Sequence, residues 1–441
     1  MENHIIPSYI SQTASELEPW LIHIRREIHR FPETGWLEMR TSAMIAKELR
    51  ALGYEVLTGR AVCKEAARMG VPSPQETQAH LQRALAFGLP EEELTPDMRE
   101  GFTGVIGILR CGSGPTVGLR FDIDALGMQE CADADHKPAR EGFASAIPGK
   151  MHACGHDGHA AIGLGVAKVL AAIREHLHGT VKLLFQPGEE GARGARAMVA
   201  AGHLDDVSVF IGSHIAPTGS LDDGDVTPGT YGSLATTKYD VIFSGKAAHA
   251  GGYPENGSNA LIAACTAALN LHAIPRHSGG QSRVNVGTLR AGTGRNVIPD
   301  RAVMELEVRG ETTDINVFMA RSAVAVCEGA ANMQGCTVEM IKMGEAEGQH
   351  SDLSLIERIA GVVKRDLPDL TLSSIQNAQN WGSEDISIMM NRVQARGGLA
   401  TYMRVMTPMA GAQHTVRFDF DEQVLSRSVR VFCAAAADIL K

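Results

Sequence analysis

The sequence predicts an α/β protein, a layered α/β domain with a smaller α+β domain inserted into it. Three observations lead there. Apolar strand-like runs alternate with helical patterns from about residue 105 to 211, the grammar of a largely parallel sheet covered by helices. From about residue 229 the order becomes strand, helix, strand, strand, helix, strand, which is the ferredoxin-like pattern. A chain of 441 residues also exceeds what one ordinary core organises, so two domains are the default.

Taken in order, a first helix is expected over 15–31, where Leu17, Trp20, Leu21, Ile24 and Ile28 form one stripe and Pro32 ends it. A second is expected over 41–52, closed by Gly53. Residues 60–101 are polar and carry Pro72, Pro74, Pro90 and Pro96, so they read as an insertion with one short helix over 75–87. The core resumes at 105–109. Strands follow at 116–121, 180–185 and 207–211, with helices at 158–178 and 192–201. The layered α/β domain is assigned to 1–228 and 349–441. The ferredoxin-like domain is assigned to 229–348, with strands at 236–244, 283–289, 302–309 and 337–343 and helices at 258–273 and 314–333.

Composition narrows the function class. Apolar residues make up 44% of the chain, and no apolar run approaches the length of a membrane span. The formal net charge is −10 without a basic cluster, which argues against nucleic acid as a partner. The N-terminus has no basic, apolar leader pattern, and the eight cysteines are dispersed, so reduced thiols and a cytoplasmic location are expected.

The chemistry gathers at strand ends. Three predicted strands run into Asp122 and Asp124, into Glu189 and Glu190, and into His214, where ligands of open α/β sheets bind. Cys154 and His156 stand two apart in the segment Met-His-Ala-Cys-Gly-His-Asp-Gly-His, residues 151–159. Thiolate, imidazole and carboxylate together suit Zn or Mn-like divalent ions, and a thiolate can bridge two of them. Cys154 alone would read as a small buried residue; its neighbours change that. His159, on the following helix, is open between a core role and a ligand. Of Glu189 and Glu190, one can bind metal while the other takes a proton from water; the bland alternative is a solvated acidic pair at a helix start. Asp124 can orient a ligand from behind. In the small domain the lone His249 reads first as structural, while Arg295, Asn296 and Arg309 could hold a substrate carboxylate. A thiol amidase using Cys154 and a non-catalytic binding protein are the competing readings.

At these residues the sequence resembles the aminoacylase/carboxypeptidase group of dinuclear metallohydrolases. The matching stretches include Arg25-Arg-Glu-Ile-His29, Arg120-Phe-Asp-Ile-Asp-Ala-Leu126, residues 151–159, Phe185-Gln-Pro-Gly-Glu-Glu190, Ala248-His-Ala-Gly251, Asn296-Val-Ile-Pro299, Gly382-Ser-Glu-Asp385 and Phe418-Asp-Phe-Asp421. The insertion, Phe102-Thr-Gly104 and Arg193-Gly-Ala-Arg-Ala-Met198 narrow this to the branch that hydrolyses p-aminobenzoyl-glutamate and indole-acetyl-aspartate. The resemblance implies a zinc-aminopeptidase-like α/β catalytic domain with a lid or dimerisation domain and two divalent ions, Mn or Zn. It implies Cys154 as bridging ligand, His156 and His214 completing one metal site, and Glu190 and His414 the other. Glu189 would be general base, Asp124 the orienting carboxylate, and His249 the group that polarises the scissile carbonyl of a partner subunit's substrate. Asn296 and Arg309 would bind substrate. That substrate would be a small N-acyl amino acid, most readily p-aminobenzoyl-glutamate, with indole-acetyl-aspartate as the alternative. The assembly would be a homodimer or a heteromer with a related but distinct B-type chain. Two departures stand out: Gly188 where the family usually has Ala, and Thr415 where it has Asn after the distant His.

Overall fold

The computed structural model describes residues 2–219, 224–373 and 382–441. Two units emerge from it, one of Met1–Tyr231, His350–Gln379 and Ile388–Lys441, the other of Gly232–Gln349 and Asn380–Ser387. The Gly382-Ser-Glu-Asp385 stretch therefore groups with the small unit, although the chain around it belongs to the larger one.

The larger unit is built on strands β1 (Glu55–Thr58), β2 (Val105–Arg110), β3 (Thr116–Asp122), β4 (Thr180–Gln186), β5 (Val209–Pro217) and β6 (Val226–Thr227). The smaller contains β7 (Ala235–Ser244), β8 (Ser282–Ala291), β9 (Arg301–Gly310) and β10 (Thr337–Ala346), and β11 (Leu399–Thr407) completes the larger sheet. That sheet runs β1-β2-β4-β3-β5-β11-β6. Its four central strands, β4, β3, β5 and β11, are parallel, and the flanking strands are antiparallel. The central strands are buried almost end to end, as a sheet covered on both faces requires.

Helices α1 (Glu2–Glu16) and α2 (Glu18–Arg30) replace the single helix expected over 15–31; Pro19 in the first turn of α2 starts a new helix there. Helices α3 (Met39–Ala51) and α4 (Pro74–Ala86) follow, the latter opened by a capping box of Ser73 and Glu76. Helix α5 (His156–Ala172) is the central one. It is apolar on every side and buried nearly throughout. Gly163 lets it lie on the sheet: a Cβ there would stand 2.6 Å from Phe185 and 2.7 Å from Phe121. On its other side it packs against α2 and the C-terminal helix Val424–Ile439. Among the described residues no helix is long and apolar enough to cross a membrane.

The smaller unit has its four strands in the order β10-β7-β9-β8, all antiparallel, with helices Ala260–His272 and Thr313–Met333 packed on the sheet. This is the ferredoxin-like arrangement, with its own core around Val241, Phe243, Met304 and Met319.

A buried ionic network locks α5 to the rest of the larger unit. Arg25 on α2 is fully buried and reaches Asp157 at 2.8 Å, Asp419 at 2.7 Å and Glu422 at 3.3 Å. His29 lies between Asp157 (2.8 Å) and Glu130 (2.9 Å). Burial alone would raise the Glu422 carboxyl, but Arg26 and Arg25 hold it down at about 2, and Arg25 and His29 hold Asp157 well below the usual range. Depressed carboxylates stabilise the fold above their unfolded values, roughly pH 4–4.5, and lose that contribution as pH falls toward the folded value. Arg25→Met should therefore cost about 3–5 kcal/mol in urea unfolding at pH 7, because three carboxylates lose their shared cation. The deficit should shrink as pH is lowered toward 2.

Candidate metal centre

The candidate ligands converge at the carboxyl ends of the parallel strands. Just past Asp124, Leu126 and Met151 exchange backbone hydrogen bonds of 3.0 and 3.1 Å, which brings the 151–155 loop alongside. Gly155 adopts a left-handed φ of +102° and turns the chain into α5. His156 is therefore the first residue of a helix, two residues ahead of the start expected at 158. His214 lies inside β5 rather than beyond its end, since that strand continues to Pro217. Glu189 and Glu190 follow β4 in a tight turn. This turn depends on Gly194, where a Cβ would stand only 1.7 Å from the Pro187 carbonyl oxygen. His414 arrives from the C-terminal segment with a left-handed φ of +60°, its N–H donated to the Ala153 carbonyl at 2.8 Å.

Three groups of side chains offer ligand atoms that all lie within 4.8 Å of one another: Cys154, His156 and His214; Cys154, Glu190 and His414; and His156, Glu189 and Glu190. Cys154 belongs to two of them. Both strand- and helix-borne histidines are set up in the same way. His156 Nδ1 lies 3.0 Å from the Asp124 carbonyl oxygen and His214 Nδ1 lies 2.7 Å from that of Ile215, so each donates from Nδ1 and turns Nε2 toward the centre. His214 Nε2 stands 3.4 Å from the Cys154 sulfur. His156 Nε2 and Glu190 Oε1 are buried without a hydrogen-bond partner, although His414 Nε2 approaches that oxygen to 3.3 Å. Buried polar atoms without partners are rare and costly. Two of them facing a thiol and further imidazoles fit divalent ions held by mixed S, N and O donors.

A fourth group, Asp122, His156 and His159, is also close enough, but His159 has no lone pair to give. Its Nε2 accepts the Ile215 N–H at 3.0 Å, so its proton sits on Nδ1 and is donated to Asp122. Asp122 is further paired with Arg120. His159 and Asp122 thus form a brace behind His214.

The Asp124 carboxylate accepts the backbone N–H of Glu189 and of Glu190, both at 3.0 Å, and lies 3.3 Å from His156 Nδ1. Two neighbours escaped the sequence reading. Gln413 Nε2 lies 3.3 Å from His214 Nδ1 and 3.4 Å from the Cys154 carbonyl oxygen. Glu38 accepts the Gly188 N–H at 2.8 Å. Neither belongs to a spacing or strand-end pattern that a sequence displays.

In the small unit, the exposed His249 accepts the N–H groups of Gly251 (3.1 Å) and Gly252 (2.9 Å) on Nδ1, which puts its proton on Nε2. It bridges to Val297, the neighbour of Asn296. Arg309 is elsewhere. It donates to Glu307 and, at 3.3 Å, to Ser383. Since Ser244 pairs with Arg301 and Thr236 with Arg309, the His249–Asn296 end and the Arg309 end are separated by the length of β9, about 26 Å.

Residues 118–438 match the sequence model of peptidase family M20/M25/M40. The chain belongs to that family. The family is one of hydrolases of amide bonds, and this member is an amidohydrolase. It is 46% identical to the indole-3-acetyl-aspartic acid hydrolase of Enterobacter agglomerans, over 98% of each chain. It is 44% identical to the A-type chain of p-aminobenzoyl-glutamate hydrolase from Escherichia coli, over 97% of each. The aminobenzoyl-glutamate utilization protein of Klebsiella pneumoniae superposes with a TM-score of 0.83 at 40% identity, covering 97% of this chain and 98% of that one. A dinuclear metal-binding peptidase of the same family from Bacillus subtilis superposes at 0.65 with 25% identity, covering 97% and 99%.

The electrostatics of this family member predict how it takes up metal. Burial, reinforced by Glu190, pushes the Cys154 thiol well above its ordinary value. Burial alone would lower His156, but Asp122, the Cys154 sulfur and the Asp124 hydrogen bond together outweigh it and the imidazole is raised. Both groups hold protons that a metal must displace. Metal affinity of the apo protein should thus rise with pH, by about tenfold per pH unit for each proton released. Titration calorimetry in two buffers of different ionisation enthalpy would count those protons, and a pH-independent affinity would sink the assignment of Cys154 as a ligand.

Proposed function

We propose that this protein hydrolyses N-acyl amino acids with an acidic amino-acid part, p-aminobenzoyl-glutamate foremost, using two divalent ions that share the Cys154 sulfur. The observation that carries the reading is the membership of Cys154 in two adjoining ligand groups, one with His156 and His214 and the other with Glu190 and His414. Zn and Mn both suit this donor set. When bound, such ions acidify water and polarise the amide carbonyl.

Glu189 is the proposed general base. It is buried at 7% exposure and its Oε2 stands 3.9 Å from His156 Nε2, beside the ligands rather than among those of the Cys154 groups. It takes the proton of the attacking water and returns it to the leaving nitrogen of the amino acid. Asp124 fixes both Glu189 and Glu190 through their amides. His249, with its proton on Nε2, is suited to donate a hydrogen bond to the scissile carbonyl, Asn296 accompanies it, and Arg309 is suited to a substrate carboxylate. With about 26 Å between the two ends of β9, one small substrate does not reach both. This supports a second chain, identical or of a related B type, as the owner of one end.

Indole-acetyl-aspartate is the second reading, favoured by the 46% identity to a hydrolase named for it. An amino-acid release screen over p-aminobenzoyl-glutamate, indole-acetyl-aspartate and hippurate, with Zn and Mn compared, decides among the substrates. Release of glycine from hippurate at the highest rate would overturn the acidic preference. Glu189→Gln should retain about two metal equivalents per chain while turnover falls by about 1,000-fold or more. A variant with near-normal turnover removes Glu189 from this role. Thiol-directed inactivation that survives full chelation would favour a cysteine nucleophile instead.

A further inference from the structure

Gly188, Glu189 and Glu190 are consecutive, and all three backbone N–H groups end on carboxylate oxygens. Gly188 donates to Glu38 Oε1 at 2.8 Å, Glu189 to Asp124 Oδ1 at 3.0 Å and Glu190 to Asp124 Oδ2 at 3.0 Å. Glu38 is fully buried at the start of α3, and its second oxygen lies 2.5 Å from the Thr103 hydroxyl. Ser42 in turn donates to the Thr103 carbonyl. The anchor is therefore a buried chain of hydrogen bonds from α3, unconnected with the strand-end ligands.

We propose that Glu38 is a positioning residue for the general base: by holding the Gly188 N–H it fixes the Pro187–Gly188 peptide, the entry to the turn that carries Glu189. This rests on the reading of Glu189 given above. The physical argument is conformational. Gly188 has a left-handed φ of +60° and no side chain, so it is a soft joint between two peptides: the following one is held by the Arg193 N–H on the Gly188 carbonyl (3.0 Å) and by Asp124, and the preceding one by Glu38. The Glu38 hydrogen bond restricts rotation at that joint. Glu189 and Glu190 are adjacent but are assigned different work, so a small rotation of this turn would exchange proton-transfer geometry for ligand geometry. A Cβ at Gly188 would meet only ordinary contacts, the nearest at 3.6 Å, so the left-handed φ rather than crowding favours glycine there.

Burial and the nearby Asp124 push the Glu38 carboxyl up to about 8. A neutral acid offers one acceptor oxygen and one donor, and a glutamine side chain offers the same pair. Glu38→Gln should therefore preserve the anchor. Glu38→Asp, one methylene shorter, should draw the oxygen away from Gly188.

Two measurements test this. In metal-free protein, amide hydrogen exchange over 188–190 should accelerate by about tenfold or more in Glu38→Asp and stay as in the wild type in Glu38→Gln. In the metal-loaded enzyme, on whichever N-acyl amino acid the wild type turns over fastest, Glu38→Asp should lower kcat by about 100-fold with KM and metal content little changed. Glu38→Gln should stay within about threefold of the wild type on the same measure. Equal impairment of both variants, loss confined to KM or metal content, or unchanged exchange in Glu38→Asp would overturn the proposal. If Glu38→Asp does not fold, Thr103→Val removes the second anchor and must accelerate the same exchange. Failure of the Glu189 assignment is separable, because exchange at 188–190 reports on Glu38 without any turnover.

Discussion

The structure is governed by the cost of gathering acidic groups in a buried place. Asp122, Asp124, Glu38, Glu189, Glu190 and the Cys154 thiol all lie at 9% exposure or less around the ends of β3 and β4. Isolated carboxylates do not survive such burial as anions. Each must find a cation, a set of amide donors or a proton. Asp122 has Arg120 and the His159 N–H; Asp124 has two backbone amides; Glu38 has the Gly188 amide and a raised proton affinity. What this distribution leaves over, His156 Nε2, the Glu190 oxygen and the thiol, is a donor set that fits a metal centre. The site is defined as much by what neighbouring groups absorb as by what they leave.

The same logic explains why helix α5 occupies the middle of the larger unit. Its first residue, His156, faces the centre, and its second, Asp157, faces away toward Arg25 and His29. One turn of helix thereby couples the site to a buried ionic network that also involves α2 and the C-terminal segment at Asp419 and Glu422. Removing Gly163 would push this helix off the sheet and carry His156 with it. Stability and site geometry are consequently not independent here. The fold keeps the candidate ligand His156 in register by tying its helix into charges that the core cannot otherwise accommodate.

Much of this was legible in the sequence, and the reasons are specific. Period-two and helical apolar patterns located β2 to β5, the four strands of the small unit and the helices between them to within several residues, because burial on a sheet or helix face imposes those periods, whereas β1, β6, β11 and the helices after residue 349 had no assignment. The strand-end rule singled out Asp122, Asp124, Glu189, Glu190 and His214, since parallel strands deliver their carboxyl ends to one edge. Pairing Cys154 with His156 followed from their closeness along the chain. The helix break at Pro19, the start of α5 at His156 and the run of β5 past His214 were misjudged by a few residues, because hydrogen bonding rather than apolar pattern fixes element ends.

What the sequence determined by itself, then, is the kind of chemistry available: a thiol, imidazoles and carboxylates placed where an α/β sheet exposes them. What only tertiary structure decided is which atoms are free to use. His159 looks as capable as His156 in one dimension, yet both its nitrogens are taken, by Asp122 and by the amide of Ile215. Gln413 and Glu38 look ordinary, yet each touches the site from a segment that contact alone brings near. His249 and Arg309 look like one substrate-binding set, yet a strand's length separates them. Ligand capacity is a property of side chains, but lone pairs, tautomers and separations belong to the fold, because hydrogen bonds made across the chain assign them.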